Sequence, residues 1–235
     1  MSLMTHPATL WLRGKLRKLG ITRAIGRLRS SERYEAVVET ALLDAVLPND
    51  IVWDVGANVG FYTLKLAEKV GAGGLVYAFE PSSVNLSKLM PNCHGQENVK
   101  VIPVGLSSED TRFKIRQGLD DLGATTRIEM STGGGDDALP EIEVRSSDSI
   151  ISSGAASAPN VLKIDVEGHE YDVLLGAAEL LKHQALRAII MEVHFDLLEK
   201  SGNKDAPMRI EKLLSSTGFS TRWLDPSHIL ASRCS

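Results

Sequence analysis

"IVWDVGANVGFYTLKLAEK", residues 51–69, decides the fold. An apolar run ends in Asp54, a cluster of small residues (Gly56-Ala57-Asn58-Val59-Gly60) follows, and a pattern of helical spacing then begins. This reads as a strand, a tight glycine turn and a helix. Such a turn cradles a nucleotide, because glycine lets the backbone bend sharply and lets a ligand approach with no Cβ in the way. The dinucleotide fingerprint is G-x-G-x-x-G. Here the spacing is G-x-N-x-G, with Asn58 where the second glycine would make room for a pyrophosphate. That substitution argues against a nicotinamide dinucleotide and for a ligand with no phosphates to hold.

Working outward, "LVYAFE" (75–80) reads as a second strand ending in Glu80, 20 residues past Gly60. An acid at that place can accept the hydroxyls of an adenosine ribose. Taken alone, Asp54 could be a helix cap and Glu80 a solvated strand end. On successive strands they point to a phosphate-free adenosine cofactor, S-adenosylmethionine.

Strands and helices go on alternating. Helices are expected over about 32–46, 60–70, 82–91, 170–183 and 206–217. Further strands are expected within 98–106 and over 160–165 and 187–195. "FSTRWL" (219–224) and "HILASR" (228–233) flank Asp225-Pro226-Ser227 and read as a closing hairpin. The order implies an α/β fold, a mostly parallel sheet with helices on both faces and an antiparallel hairpin at the end. Residues 107–150 break the alternation: "FKI" (113–115) and "EIEVRS" (141–146) are strand pieces around the loop "TGGGDDALP" (132–140), an inserted flap or hairpin. We divide the chain into a basic helical segment, 1–47, and a catalytic domain, 48–235.

Three motifs in order, "DVGANVGFYT", "FEPSSVN" (79–85) and "LKIDVEGHEYDVLLGA" (162–177), resemble the FkbM-type family of S-adenosylmethionine-dependent methyltransferases. The resemblance runs from about Tyr34 to Phe195. It implies a Rossmann-like class I methyltransferase fold with a seven-stranded sheet, and O-methylation of a small molecule or sugar. It further implies that Asp54, Gly56, Asn58 and Gly60 hold the methionine end and shape the turn, with Phe61, Tyr62 and Thr63 opening the helix below. Glu80 would bind the ribose hydroxyls and Pro81 would turn the chain behind it. Gly105 and Leu106 would sit near the adenine, and Tyr34, with Glu35, would close over the cofactor.

Methyl transfer to a neutral hydroxyl is an in-line displacement in which a proton must leave the acceptor. Ligands in such sheets bind outside the carboxyl ends of the strands, so the base is sought there. Asp165 ends the fourth core strand; Glu192 and His194 end the fifth, two apart and thus on one face. Asp165 is the first candidate base, since a buried run precedes it and burial raises a carboxyl pKa. His194 is the second. Asp165 and Glu192 could bind Mg²⁺, although a metal-free acid pair is preferred. Lys163, mid-strand among apolar neighbours, is expected to be ion-paired, and His228 is assigned no role.

The 235 residues carry a net charge of −4, with 43% hydrophobic and 24% charged residues, ordinary for a soluble protein. Charge is uneven: residues 1–33 hold eight Lys/Arg and one acid, Glu32. A solvated helical face is the plainer reading, contact with an anionic surface the other. An acidic body with few aromatic side chains, and no "NPPY"-like run, argues against a nucleic-acid substrate. Two cysteines make neither a disulfide framework nor a metal site. With no span of about 18 apolar residues and no apolar leader, a cytoplasmic enzyme is expected. The alternatives are a nicotinamide-dependent oxidoreductase and a non-catalytic module that binds S-adenosylmethionine. Oligomeric state is not readable from the sequence.

Overall fold

The computed structural model describes residues 31–114 and 141–233, and only the backbone of 31–34 and of residue 114. The amphipathic helix expected over residues 8–29 of the basic segment, and the 132–140 loop, lie outside the described residues. Helix α1 (Ser31–Ala45) leads into β1 (Ile51–Val55), α2 (Phe61–Val70), β2 (Leu75–Phe79), α3 (Ser83–Asn92) and β3 (Val99–Ile102). After these come the short strands β4 (Gly105–Leu106), β5 (Thr111–Lys114) and β6 (Glu141–Arg145), and then α4 (Ser147–Ser152). The chain returns through β7 (Val161–Ile164), α5 (Glu170–Leu175), β8 (Ala188–Glu192), α6 (Phe195–Lys200) and α7 (Ala206–Ser216), and closes with β9 (Ser220–Trp223) and β10 (His228–Ser232).

Seven strands form one sheet in the order β3-β2-β1-β7-β8-β10-β9. The first five are parallel and β10 runs antiparallel to both β8 and β9, so the expected closing hairpin supplies the antiparallel edge. Alternation of side chains across the sheet gives two cores. Trp53, Val55, Phe79, Leu162 and Met191 face α5 and α7, meeting Val173, Leu174, Ile210 and Leu214. On the opposite face Val52, Val76, Val161 and Ile190 meet Val38 and Leu42 of α1 and Leu66 and Val70 of α2. Both faces are thus covered, as a parallel sheet requires, and α1 is part of that cover.

β4, β5 and β6 make a second, three-stranded sheet in which β5 and β6 are antiparallel, so the two strand pieces around the inserted loop do pair. Three elements depart from expectation. α4 caps the insertion: Ser146 is its N-cap, accepting from the Ser149 N–H. The helix expected over 170–183 is broken at Gly176, where an added Cβ would lie 1.9 Å from the Ser107 carbonyl oxygen, and it resumes as a single turn of 3₁₀ helix, Leu180–Lys182. The strand expected to reach Phe195 stops at Glu192, and α6 begins directly after His194. Among the described residues no helix is long and apolar enough to cross a membrane.

Candidate active site

Strand order reverses between β1 and β7, and the site opens at the carboxyl ends of these two strands, the position expected for a ligand in an open α/β sheet. Gly56, at φ +79°, lies against the backbone of β7's end; a Cβ there would fall 1.9 Å from the Asp165 carbonyl oxygen. Asn58 is itself left-handed, at φ 51°. Asparagine tolerates that conformation better than other residues with a side chain, which explains why it can stand where the dinucleotide fingerprint has glycine. The turn is tied to β2: the Gly56 and Ala57 amides both donate to the Phe79 carbonyl at 3.0 Å.

Glu80 is nearly buried. One of its oxygens accepts from the Asn58 amide at 2.9 Å, the other from the Ser82 amide at 2.9 Å and from Asn85 Nδ2 at 3.3 Å. Burial pushes its pKa up against these bonds. A carboxylate has about four lone-pair sites, so three bonds leave one for a ligand hydroxyl. Glu80 borders a cavity of about 870 Å³, open mouth included, which also takes in Gly56, Asn58, Pro81, Gly105 and Leu106. Phe113, Ile142 and Val144 from the small sheet give it an apolar wall, and its three acids are Glu80, Asp165 and Glu167. Among the described residues no lysine or arginine lines it. The acids and apolar walls described suit a flat base, a ribose and a cationic sulfonium.

Other residues expected at the cofactor stand elsewhere. Asp54 is fully buried beneath the turn, accepting from Thr63 Oγ1 at 2.7 Å and from Lys163 Nζ at 2.9 Å. It braces the turn from below and does not border the cavity. Lys163 sits opposite it in register and is ion-paired, the only way a charge in this position escapes a large desolvation cost. Gly60 caps α2 at φ 93°, packed against Leu89. Phe61 and Tyr62 border a second cavity, under the first turns of α1. The side chain of Tyr34 lies outside the described residues.

Asp165 borders both cavities. Around it, His194 Nε2 lies 3.8 Å from an Asp165 oxygen and 3.8 Å from a Glu192 oxygen. The three residues that sequence placed at strand ends therefore meet, with one ligand atom each inside 4.8 Å, close enough that a metal ion could be held. Burial raises the Asp165 pKa, opposed by Lys163 at 3.8 Å. Burial would lower that of His194, but the fully buried Glu170, bonded to its Nδ1 at 2.6 Å, outweighs it and pushes it up to about 9. His228 carries a matching arrangement. Its Nε2 lies 3.5 Å from Glu192 and its Nδ1 2.8 Å from Asp225; these acids overcome burial and push it, too, up to about 9.

Residues 54–221, well over half the chain, match the family model described as the methyltransferase FkbM domain. The chain belongs to the FkbM methyltransferase family. Among curated proteins it is similar to the hexuronic acid methyltransferase AglP of Haloferax volcanii, 31% identical over 199 residues that span 84% of this chain and 74% of the relative. It is also similar to the 31-O-demethyl-FK506 methyltransferase FkbM of Streptomyces tacrolimicus, 31% identical over 63% of this chain and 66% of that one. A solved S-adenosylmethionine-dependent methyltransferase from Aquifex aeolicus aligns over 89% of this chain and 95% of its own at 16% identity, with a TM-score of 0.47.

This FkbM-type chain is thus an S-adenosylmethionine-dependent methyltransferase, as its motifs imply. Sequence reasoning missed Glu170, Asp225 and His228. Glu170 had a signal, an acid in the first turn after Asp165. His228 had none short of knowing that β10 pairs with β8 in the register His228 opposite Glu192.

Proposed function

We propose that the chain O-methylates a hydroxyl of a small molecule or sugar, with Asp165 as the general base. The supporting observation is that Asp165 stands in the wall shared by the two cavities. One fits the cofactor; the other is then the acceptor's. Bound S-adenosylmethionine supplies a methyl on a cationic sulfonium. Gly56 and Asn58 would shape its berth, Glu80 would hold the ribose, and Gly105 and Leu106 would pack on the adenine side. Acids near the sulfonium stabilise bound positive charge, while the apolar walls exclude water.

Asp165 takes the acceptor's proton as the oxygen attacks. Its raised pKa makes it a better base than an ordinary carboxylate, closer to the ideal near neutral pH. His194 is protonated at neutral pH, since its pKa is about 9. It is therefore a poor base there; it holds Glu192 and Asp165 in place and offsets their charge. Lys163, His194 and His228 offset part of the charge of the surrounding carboxylates, and the step is written with the chain's own residues alone. The relative AglP, by its name, acts on a hexuronic acid; a carbohydrate acceptor is the corresponding reading here.

Transfer of radiolabelled methyl from S-adenosylmethionine to a panel of sugars and hydroxylated small molecules tests this. In Asp165→Asn, kcat should fall by about 10²- to 10⁴-fold, while S-adenosylhomocysteine binds within about threefold of wild type, because the Asn side chain keeps the shape of the wall. An Asp165→Asn enzyme with undiminished kcat would remove Asp165 as the base.

A further inference from the structure

The second cavity has a recognisable chemical character. At its mouth Phe61 is 58% exposed, edge-on to Tyr62 at 5.2 Å between ring centres, with Lys65 Nζ 4.2 Å from its own ring centre. A large aromatic side chain exposed beside a cavity that also holds Asp165, Glu192 and His228 presents a flat, electron-rich face to C–H groups. At its floor Glu192 lies between two histidines, one oxygen 3.8 Å from His194 and the other 3.5 Å from His228. The 3.8 Å pair is too long for a direct hydrogen bond and wide enough to admit a hydroxyl. Neither imidazole is free to turn, because each has its Nδ1 fixed by a carboxylate, Glu170 or Asp225, on the side away from Glu192.

We propose that this cavity binds a saturated ring bearing two adjacent hydroxyls, as in a pyranoside. The reacting hydroxyl sits between Asp165 and His194, its neighbour sits at Glu192 and His228, and the ring's apolar face lies on Phe61. His228 is then a specificity residue, reading the hydroxyl beside the one that is methylated, and Asp225 is the positioning residue that aims it. The closing hairpin serves this directly: register places His228 opposite Glu192, and Asp225 in the turn accepts from the Ser227 and His228 amides at 2.7 Å each. Glu192 and His228 are half-buried and held in place, so a ring lacking the second hydroxyl leaves their aimed polar atoms without a ligand partner, and the site discriminates against it.

This rests on the methyltransferase reading, and the two can fail separately. The full chain, saturated with S-adenosylhomocysteine, is titrated with methyl glycosides of glucose, galactose, mannose and glucuronic acid by saturation-transfer NMR. The tightest is compared with its monodeoxy forms. At least one pyranoside should bind. Removal of one hydroxyl next to the reacting position should weaken binding about tenfold, equivalent to about 1.4 kcal/mol. In His228→Ala and the shape-conserving His228→Gln that discrimination should vanish, and Phe61→Ala, an exposed change that leaves the fold alone, should weaken every pyranoside. S-adenosylhomocysteine affinity should hold in all three. Binding of S-adenosylhomocysteine with no pyranoside bound, or discrimination that survives both His228 variants, overturns the proposal. Absence of S-adenosylhomocysteine binding to wild type overturns the methyltransferase reading instead.

Discussion

Glu170 shows how one buried side chain sets the chemistry of another. It is fully buried, its Oε1 receives the Gly168 amide at 2.8 Å and His194 Nδ1 at 2.6 Å, and its charge keeps the imidazole protonated well past neutrality. An enzyme that needs Asp165 ionised and His194 protonated has two limbs. On the proposed roles, activity should rise with pH as Asp165 loses its proton and fall as His194 and His228 lose theirs near pH 9. Because both histidines pair with Glu192, the alkaline limb belongs to the group and not to one ring. Glu170→Gln keeps the shape and removes the charge. Its alkaline limb in kcat should move down by at least about one pH unit, with activity at pH 6 close to wild type. A limb still at pH 9 would mean that His228 alone governs it.

Helix α1 illustrates how an element outside the alternating pattern becomes part of the site. Its Val38 and Leu42 are buried against Val52, Val161 and Ile190, and its outer turns carry Glu35 to the rim of the second cavity. Leu42→Ala should cost about 2–5 kcal/mol, read as a lower urea midpoint at unchanged m-value. S-adenosylhomocysteine affinity should change little, since Leu42 does not border the cofactor cavity. The same contrast explains what sequence could and could not disclose. The β1 turn was readable because glycine at Gly56, a left-handed Asn58 and an apolar strand are local signals. That Asp165, Glu192 and His194 come together was readable because they end neighbouring strands. α6, six residues following directly on a strand, is too short for helical periodicity to separate it from its neighbour. The break at Gly176 depends on the Ser107 carbonyl, nearly seventy residues earlier in the chain. His228 depends on strand register, a property of the assembled sheet.

Taken together, the titrating groups give the whole chain a pH-dependent stability whose sign can be worked out. His194 and His228 have folded pKa values of about 9 against an ordinary value of 6.5. A group raised on folding binds its proton more tightly in the folded state, so its contribution is complete below pH 6.5 and disappears as pH climbs through 9. The raised Asp165 and Glu80 act in the same sense at lower pH: what they add is lost as pH rises through their folded values. Glu192 and Asp225 are lowered, despite burial, by the histidines they face. Their contribution is present above the ordinary carboxylate range and lost as pH falls through their folded values. The contributions of Glu192 and Asp225, and of His194 and His228, are all present together between about pH 4.5 and 6.5. Thermal melts at constant ionic strength should show Tm falling from pH 6.5 to 9.5, by roughly 2–4 °C for each kcal/mol lost in a chain this long. His228→Gln should flatten the slope by removing one of the two protons involved. A Tm that rises over that interval would show that the carboxylates around Glu192 do not hold the histidine protons as the geometry requires.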